Sequence, residues 1–169
     1  MNTNKTHDDL LADWKENAES HDDANYSYLR SLKRNCTSFE KVNRIALKLH
    51  QEAFSIVDCT KCANCCRTLR PVFTDEDITR IAEHLGMTRD EFIAAYLEAT
   101  DEGHQPRTMP CPFLGQDNKC TIYAVRPEKC QGYPFTDKDF LSRTITHANN
   151  AVVCPAVFYL VEQMKRRRR

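Results

Sequence analysis

Cys59-Thr60-Lys61-Cys62-Ala63-Asn64-Cys65-Cys66 puts four thiols within eight residues, and the rest of the chain is read outward from it. Five more cysteines occur, at 36, 111, 120, 130 and 154. A C-x2-C interval lets one tight turn aim two thiolates at a single ion while nearby backbone N–H groups stabilise the negative sulfurs. A third cysteine at the same interval allows three thiolates around one centre. Cys66 follows directly and should project elsewhere, where it could serve a second centre. The eight thiols Cys59, Cys62, Cys65, Cys66, Cys111, Cys120, Cys130 and Cys154 thus divide into two four-thiolate sites, or into one cluster with spare structural thiols.

The nature of the metal is less sharply written. A zinc ribbon needs two separate C-x2-C knuckles, whereas here the two overlap at Cys62. C-x2-C-x2-C with a remote fourth cysteine echoes the ferredoxin arrangement, in which a Cys-Pro step is also typical. Two such steps occur, Cys111-Pro112 and Cys154-Pro155. No histidine lies in the cysteine motifs, which favours a soft-ligand centre. The balance leans to an iron–sulfur cluster as cofactor, with zinc left open.

Composition sets bounds on function. The 169 residues fit one domain of ordinary size with a helical extension. Formal net charge is zero, with 24 basic and 24 acidic residues, but the last five residues, Lys165 to Arg169, are all cationic. The remainder is therefore mildly acidic. No stretch approaches the ~20 apolar residues of a membrane-spanning helix, and the first residues lack the apolar run of a signal peptide. A cytoplasmic location is the expectation, and reducing compartments favour metal ligation over disulfides for clustered thiols. The four glycines (86, 103, 115, 132) are too scattered for a GxGxxG or Walker loop, which argues against a nucleotide cofactor.

The segments around the cysteines read as mainly α with a short β-hairpin. Residues 8 to 34 are helical with a polar break at His21 to Asn25. Thr37 and Glu40 have capping-box spacing, and Phe39, Val42, Ala46, Leu49 and Ala53 form a helical stripe that runs to about Val57. Arg70 to Phe73 is extended. Thr74 and Asp77 start a helix that buries Ile78, Ile81, Ala82 and Leu85 and stops at Gly86. Thr88 and Glu91 start another, with Phe92, Ala95, Tyr96 and Ala99 on one face. Residues 100 to 110 are loop. Phe113-Leu114 and Thr121-Ile122-Tyr123, around Gly115-Gln116-Asp117-Asn118, predict the hairpin. Pro155 opens a closing helix with Val157, Leu160, Val161 and Met164 inward. The expected division is an N-terminal helical extension over 1–57 and a cysteine-cluster metal-binding domain over 58–169.

Taken together, these stretches resemble the YkgJ-like cysteine-cluster family, a zinc- or iron-chelating domain with a CxxCxxCC signature. The resemblance rests on Cys59-x2-Cys62-x2-Cys65-Cys66, Thr74-Asp75-Glu76-Asp77-Ile78, Cys111-Pro112-Phe113-Leu114, Cys120-Thr121-Ile122-Tyr123, Arg126-Pro127-x2-Cys130 and Tyr133-Pro134, with Cys154 as the last cysteine. It implies that the eight cysteines from Cys59 to Cys154 are ligands, and it leaves Cys36 outside. Gln131 departs from the pattern, since many members carry a basic residue there. The family is also similar to bacterial flagellin lysine N-methylases, which resemble iron–sulfur proteins. This implies an iron–sulfur component of protein lysine N-methylation as an alternative role.

The remaining residues have plainer readings. Cys36 is a buried or partly buried free thiol near a helix end. Tyr123, Tyr133 and Phe135 pack around the centre. Arg126 hydrogen-bonds backbone carbonyls that hold the cysteine loops. The six histidines lie at the surface, with His147 the one to watch. Asp75, Glu76 and Asp77 complement a helix N-terminus. Cys154, just before a helix, gains from that helix's positive end. No catalytic carboxylate pair or nucleophile set stands out, so the reading names no catalytic residue. With no second basic patch in the sequence, the tail reads as solvated rather than nucleic-acid-binding. A protein partner fits a third role, a zinc-stabilised interaction module.

Overall fold

The computed structural model describes residues 5–167. Met1 to Asn4, and Arg168 and Arg169 of the basic tail, lie outside the described residues. The fold is mainly α. Its helices are α1 His7–Asn17, α2 Asp22–Asn35, α3 Phe39–Ile56, α4 Cys59–Cys62, α5 Asn64–Thr68, α6 Asp75–Leu85, α7 Arg89–Tyr96, α8 Glu128–Gly132, α9 Thr144–Ala151 and α10 Pro155–Arg166. Strands β1 Leu97–Thr100 and β2 Gly103–Pro106 form an antiparallel hairpin, with Leu97 opposite Pro106 and Thr100 opposite Gly103. No described helix is long and apolar enough to cross a membrane.

The chain forms two compact units. Unit 1 joins residues 1–62 to 134–169, and unit 2 is continuous over 63–133. In unit 1 the closing helix is the organising element. From Pro155 to Val161 every residue of α10 is buried, as is Met164, so this helix takes neighbours all round rather than on one stripe. α1, α3 and α9 pack against it. They contribute Leu10, Ala46, Leu49, Ala53, Ala148 and Ala151. The Trp14 indole N–H bonds the Ala151 carbonyl at 3.1 Å, and the Tyr159 hydroxyl donates to Glu52.

Two details of α3 differ from the sequence reading. Its cap is Ser38 rather than Thr37, with the Ser38 hydroxyl accepting the Lys41 N–H at 3.2 Å. The third helical residue is then Lys41, which cannot return the bond, so no capping box forms. Phe39, at the first turn, is 57% exposed and belongs to no core stripe.

Unit 2 is built on α6 and α7, both of which begin with the expected capping boxes, Thr74 with Asp77 and Thr88 with Glu91. Gly86 ends α6 at φ 68°, a left-handed geometry that costs glycine little. The core comprises Phe73, Ile78, Ile81, Ala82, Phe92, Leu97, Phe113 and Ile122. Leu85, expected inside, is 37% exposed. Phe92 and Phe113 stack at 6.0 Å between centroids, and Tyr96 closes on both at 5.4 and 5.0 Å. Offset and tilted contacts of this kind each add ~0.5–1.5 kcal/mol to the burial itself.

The hairpin lies at 97–106, where the sequence reading had helix continuing to Ala99 and then loop. The cause is Arg107. Its N–H bonds the Tyr96 carbonyl at 2.9 Å, and its guanidinium takes the carbonyls of Ala94 and Leu97 at 3.2 and 2.7 Å. The last turn of α7 is thereby satisfied, and the chain leaves as a strand. At the expected hairpin, 113–123, only an isolated bridge between Leu114 and Cys120 forms around the Gly115 turn.

Candidate metal centre

Among the described residues no disulfide joins any of the nine cysteines. Cys36, at the end of α2, is partly buried, and its sulfur lies 3.8 Å from the Lys33 carbonyl.

In unit 1, Cys59 and Cys62 are the first and last residues of the single turn α4. Asp58 starts that turn: its Oδ1 accepts the Thr60 N–H at 2.9 Å, and its carbonyl accepts the N–H groups of Lys61 and Cys62 at 3.1 and 3.2 Å. The Asp58 N–H in turn bonds His7 Nδ1 at 3.1 Å. Cys154 is the N-cap of α10, with Pro155 as the first helical residue. The N–H groups of Val157 and Ala156 point at its sulfur, as expected for a thiolate at a helix start. Burial nonetheless dominates and pushes the Cys154 thiol up to about 12, and the charges of Cys59 and Cys62 add to the rise. The sulfurs of Cys59 and Cys62 therefore lie within electrostatic reach of Cys154.

In unit 2, Cys65 and Cys66 sit on α5, which follows Ala63 in a left-handed conformation at φ 50°. The Cys65 S–H bonds the Cys66 sulfur and, with Arg67, brings the Cys66 thiol down to about 7 against the effect of burial. The Cys111 N–H donates to the Cys66 carbonyl at 2.9 Å, which sets the two backbones side by side. The Phe113 N–H points at the Cys111 sulfur and the Ile122 N–H at the Cys120 sulfur. Each is the residue two further on, which is the knuckle geometry that presents a thiolate to a metal. Cys130 lies on α8. Burial raises Cys111 to about 11 and Cys130 to about 12, and it also raises Cys120. The charges of Cys66, Cys111 and Cys120 all reach Cys130.

Neutral thiols that are buried and electrostatically coupled become thiolates when a cation replaces their protons. The donor set, all sulfur with N–H groups already aimed at it, fits zinc or iron. As the side chains stand, no group of three or more His, Cys, Asp or Glu among the described residues is drawn in to ligand distance.

Asp77 was read as a simple helix-start acid, and the structure gives it a larger role. It is 1% exposed; Oδ2 accepts the Thr74 N–H and Oδ1 accepts the Glu128 N–H, both at 3.1 Å. The Arg80 guanidinium pairs with Oδ1 and also donates to the Arg126 carbonyl at 3.2 Å. Asp77 and Arg80 thus fasten the segment that carries Cys130 to α6. Arg126 does bond a backbone carbonyl, that of Tyr123, at 3.0 Å. Tyr123 is 64% exposed, so it lies under the Arg126 guanidinium at 3.8 Å rather than packing inside. Gln131 donates to the Arg126 carbonyl at 2.8 Å. No linear motif announces the Asp77 clamp, because Glu128 is 51 residues away.

Two surface readings also change. His147 is fully buried, stacked on Phe140 at 4.4 Å. The sequence shows no basic patch besides the tail, yet in unit 1 the fold gathers Arg30, Lys33, Arg34 and Arg143 around a cavity of about 210 Å³. In the tail, Lys165 pairs with Glu162.

Comparison with known proteins found no match among curated proteins or solved structures. The family comparison matched residues 58–155, more than half of the chain, to the CxxCxxCC family, described as a "putative zinc- or iron-chelating domain". With its cysteines, its knuckle N–H groups and that span in agreement, the chain belongs to the CxxCxxCC family of zinc- or iron-chelating domains.

Proposed function

We propose that the chain is an iron–sulfur protein of a reducing, cytoplasmic compartment, in which Cys59, Cys62, Cys65, Cys66, Cys111, Cys120, Cys130 and Cys154 supply the ligands. The observation that carries this reading is the set of backbone N–H groups, from Phe113, Ile122, Ala156 and Val157, aimed at cysteine sulfurs. Such bonds favour the anionic sulfur and tune the potential of a cluster. An iron–sulfur cluster would supply one-electron transfer. The residues around it hold the ligand loops in place: Asp58 fixes α4, Asp77 and Arg80 fix the Cys130 segment, and the Phe92–Phe113 stack carries the Cys111 knuckle.

Anaerobic purification with elemental analysis tests the reading. The expected product is brown, contains iron and sulfide, and bleaches with dithionite. A colourless protein with stoichiometric zinc would refute the redox role and leave a structural thiolate site. Zinc has its own support in unit 2, where four thiols, Cys66, Cys111, Cys120 and Cys130, are mutually coupled, since structural zinc sites are closed by four protein ligands.

A further inference from the structure

We propose that the cysteine run is divided between two sites. Cys66 joins Cys111, Cys120 and Cys130 in a four-thiolate site contained wholly in unit 2, and Cys59 and Cys62 go with Cys154 to a separate site in unit 1. The proposal rests on the metal-binding reading above and states which sulfurs share an ion of the soft class: iron, zinc or a surrogate such as cadmium.

Backbone geometry carries the unit 2 set. The Cys111 N–H to Cys66 carbonyl bond, 2.9 Å, aligns α5 with the Cys111 knuckle. The Leu114–Cys120 bridge and the Thr121 N–H to Phe113 carbonyl bond, 2.8 Å, place the Cys120 knuckle beside it. Both cysteines pack on one core. Cys130 is brought in by α8, whose first N–H is held by Asp77. The boundary of the compact units falls between Cys62 and Ala63, so Cys59 and Cys62 on α4 belong to unit 1 together with Cys154, the N-cap of α10. Ala63, left-handed, ends the first turn before the second begins, so the four thiols of the run do not share one helix face. The run is thereby parted between Cys62 and Cys66, which spacing alone leaves undecided.

The test uses the full chain, stripped of metal and titrated with cadmium(II) under argon. Free thiols are alkylated at each step and mapped by mass spectrometry. In Cys120→Ser, the protection of Cys66, Cys111 and Cys130 should fall at least tenfold while Cys59, Cys62 and Cys154 stay protected. Cys59→Ser should give the reverse, and Cys36→Ser should change neither set. Cys120→His, which keeps a ligand at the position, guards against a folding failure: it should leave Cys59, Cys62 and Cys154 protected and shift the thiolate-to-cobalt bands of the cobalt form. Cys66 losing protection with Cys59 rather than with Cys120, or both sets collapsing in Cys120→His, overturns the division. A native chain holding neither iron nor zinc overturns the metal-binding reading itself.

Discussion

Replacing Asp77 by Asn tests the clamp on the Cys130 segment with almost no change of shape. The carboxylate has acceptors on both sides: Oδ2 for the Thr74 N–H, Oδ1 for the Glu128 N–H and Arg80. An amide keeps one oxygen and turns the other into a donor. Either Thr74 or the Glu128–Arg80 side must then face an N–H with an N–H. Hydrogen bonds to a charged group contribute ~1.5–3 kcal/mol each, and the carboxylate is almost fully buried. Arg80 is 38% exposed, so its share shrinks toward that of a surface pair. The expected loss is about 2–4 kcal/mol in urea unfolding of the metal-loaded chain. Asp75→Asn is the control, because Asp75 is 78% exposed and pairs with Arg89 at the surface. It should cost less than ~1 kcal/mol. Cys130 lies two residues beyond Glu128, so Asp77→Asn should also release metal at a lower chelator concentration. If Asp77→Asn melts with Asp75→Asn, within ~0.5 kcal/mol, the clamp has no energetic role.

Two other predictions come from the cores. His147 is fully buried, and burial, aided by Arg143, lowers it to about 4, so the unfolded chain takes up a proton near pH ~6.5 that the native chain refuses. Stability should therefore be unaffected above that pH and fall by up to ~3 kcal/mol as pH drops from ~6.5 to ~4; urea midpoints for wild type and His147→Gln should converge over this window, and parallel curves would contradict it. Phe92→Ala, at the centre of the aromatic stack, should cost about 3–5 kcal/mol, whereas Phe39→Ala, at a largely exposed position, should stay within ~0.5 kcal/mol. Equal losses would show that the stack does not hold unit 2.

What could be read from the sequence is what local chemistry decides. The boxes at Thr74 and Thr88 close within three residues, and Gly86 terminates α6 through its own backbone freedom. The helix-start position of Cys154 followed from Pro155. The hairpin was misplaced because its determinants are not local. Leu97 to Thr100 continues a helical pattern, and only Arg107, reaching back to Ala94 and Leu97, makes strand the better outcome. The segment around Gly115 had turn chemistry but could not grow a ladder. The N–H group of Phe113, which a longer ladder would pair with Thr121, goes to the sulfur of Cys111 instead. The same turn signal that misled the strand assignment thus marks the backbone around Cys111 and Cys120. His147 and the Asp77 clamp were invisible because burial and a partner 51 residues away leave no trace in spacing.

The cations near the cysteines take different partners in the fold. Lys61, Arg67, Arg70, Lys119, Arg126 and Lys129 surround the cysteines in sequence. In the structure Lys61 faces Asp58, Arg70 pairs with Glu98 and Lys119 faces Asp117. Arg67 and Arg126 act on sulfur: Arg67 stabilises the Cys66 thiolate, and Arg126 those of Cys120 and Cys130. Four thiolates around a dication leave a net charge of about −2, and these two guanidiniums are placed to offset it within unit 2. Cys154 has a different support. Its sulfur takes the N–H groups at the start of α10, where the helix dipole supplies the positive field. Backbone N–H groups serve unit 2 as well, those of Phe113 and Ile122 at Cys111 and Cys120, and there the charges of Arg67 and Arg126 act in addition to them.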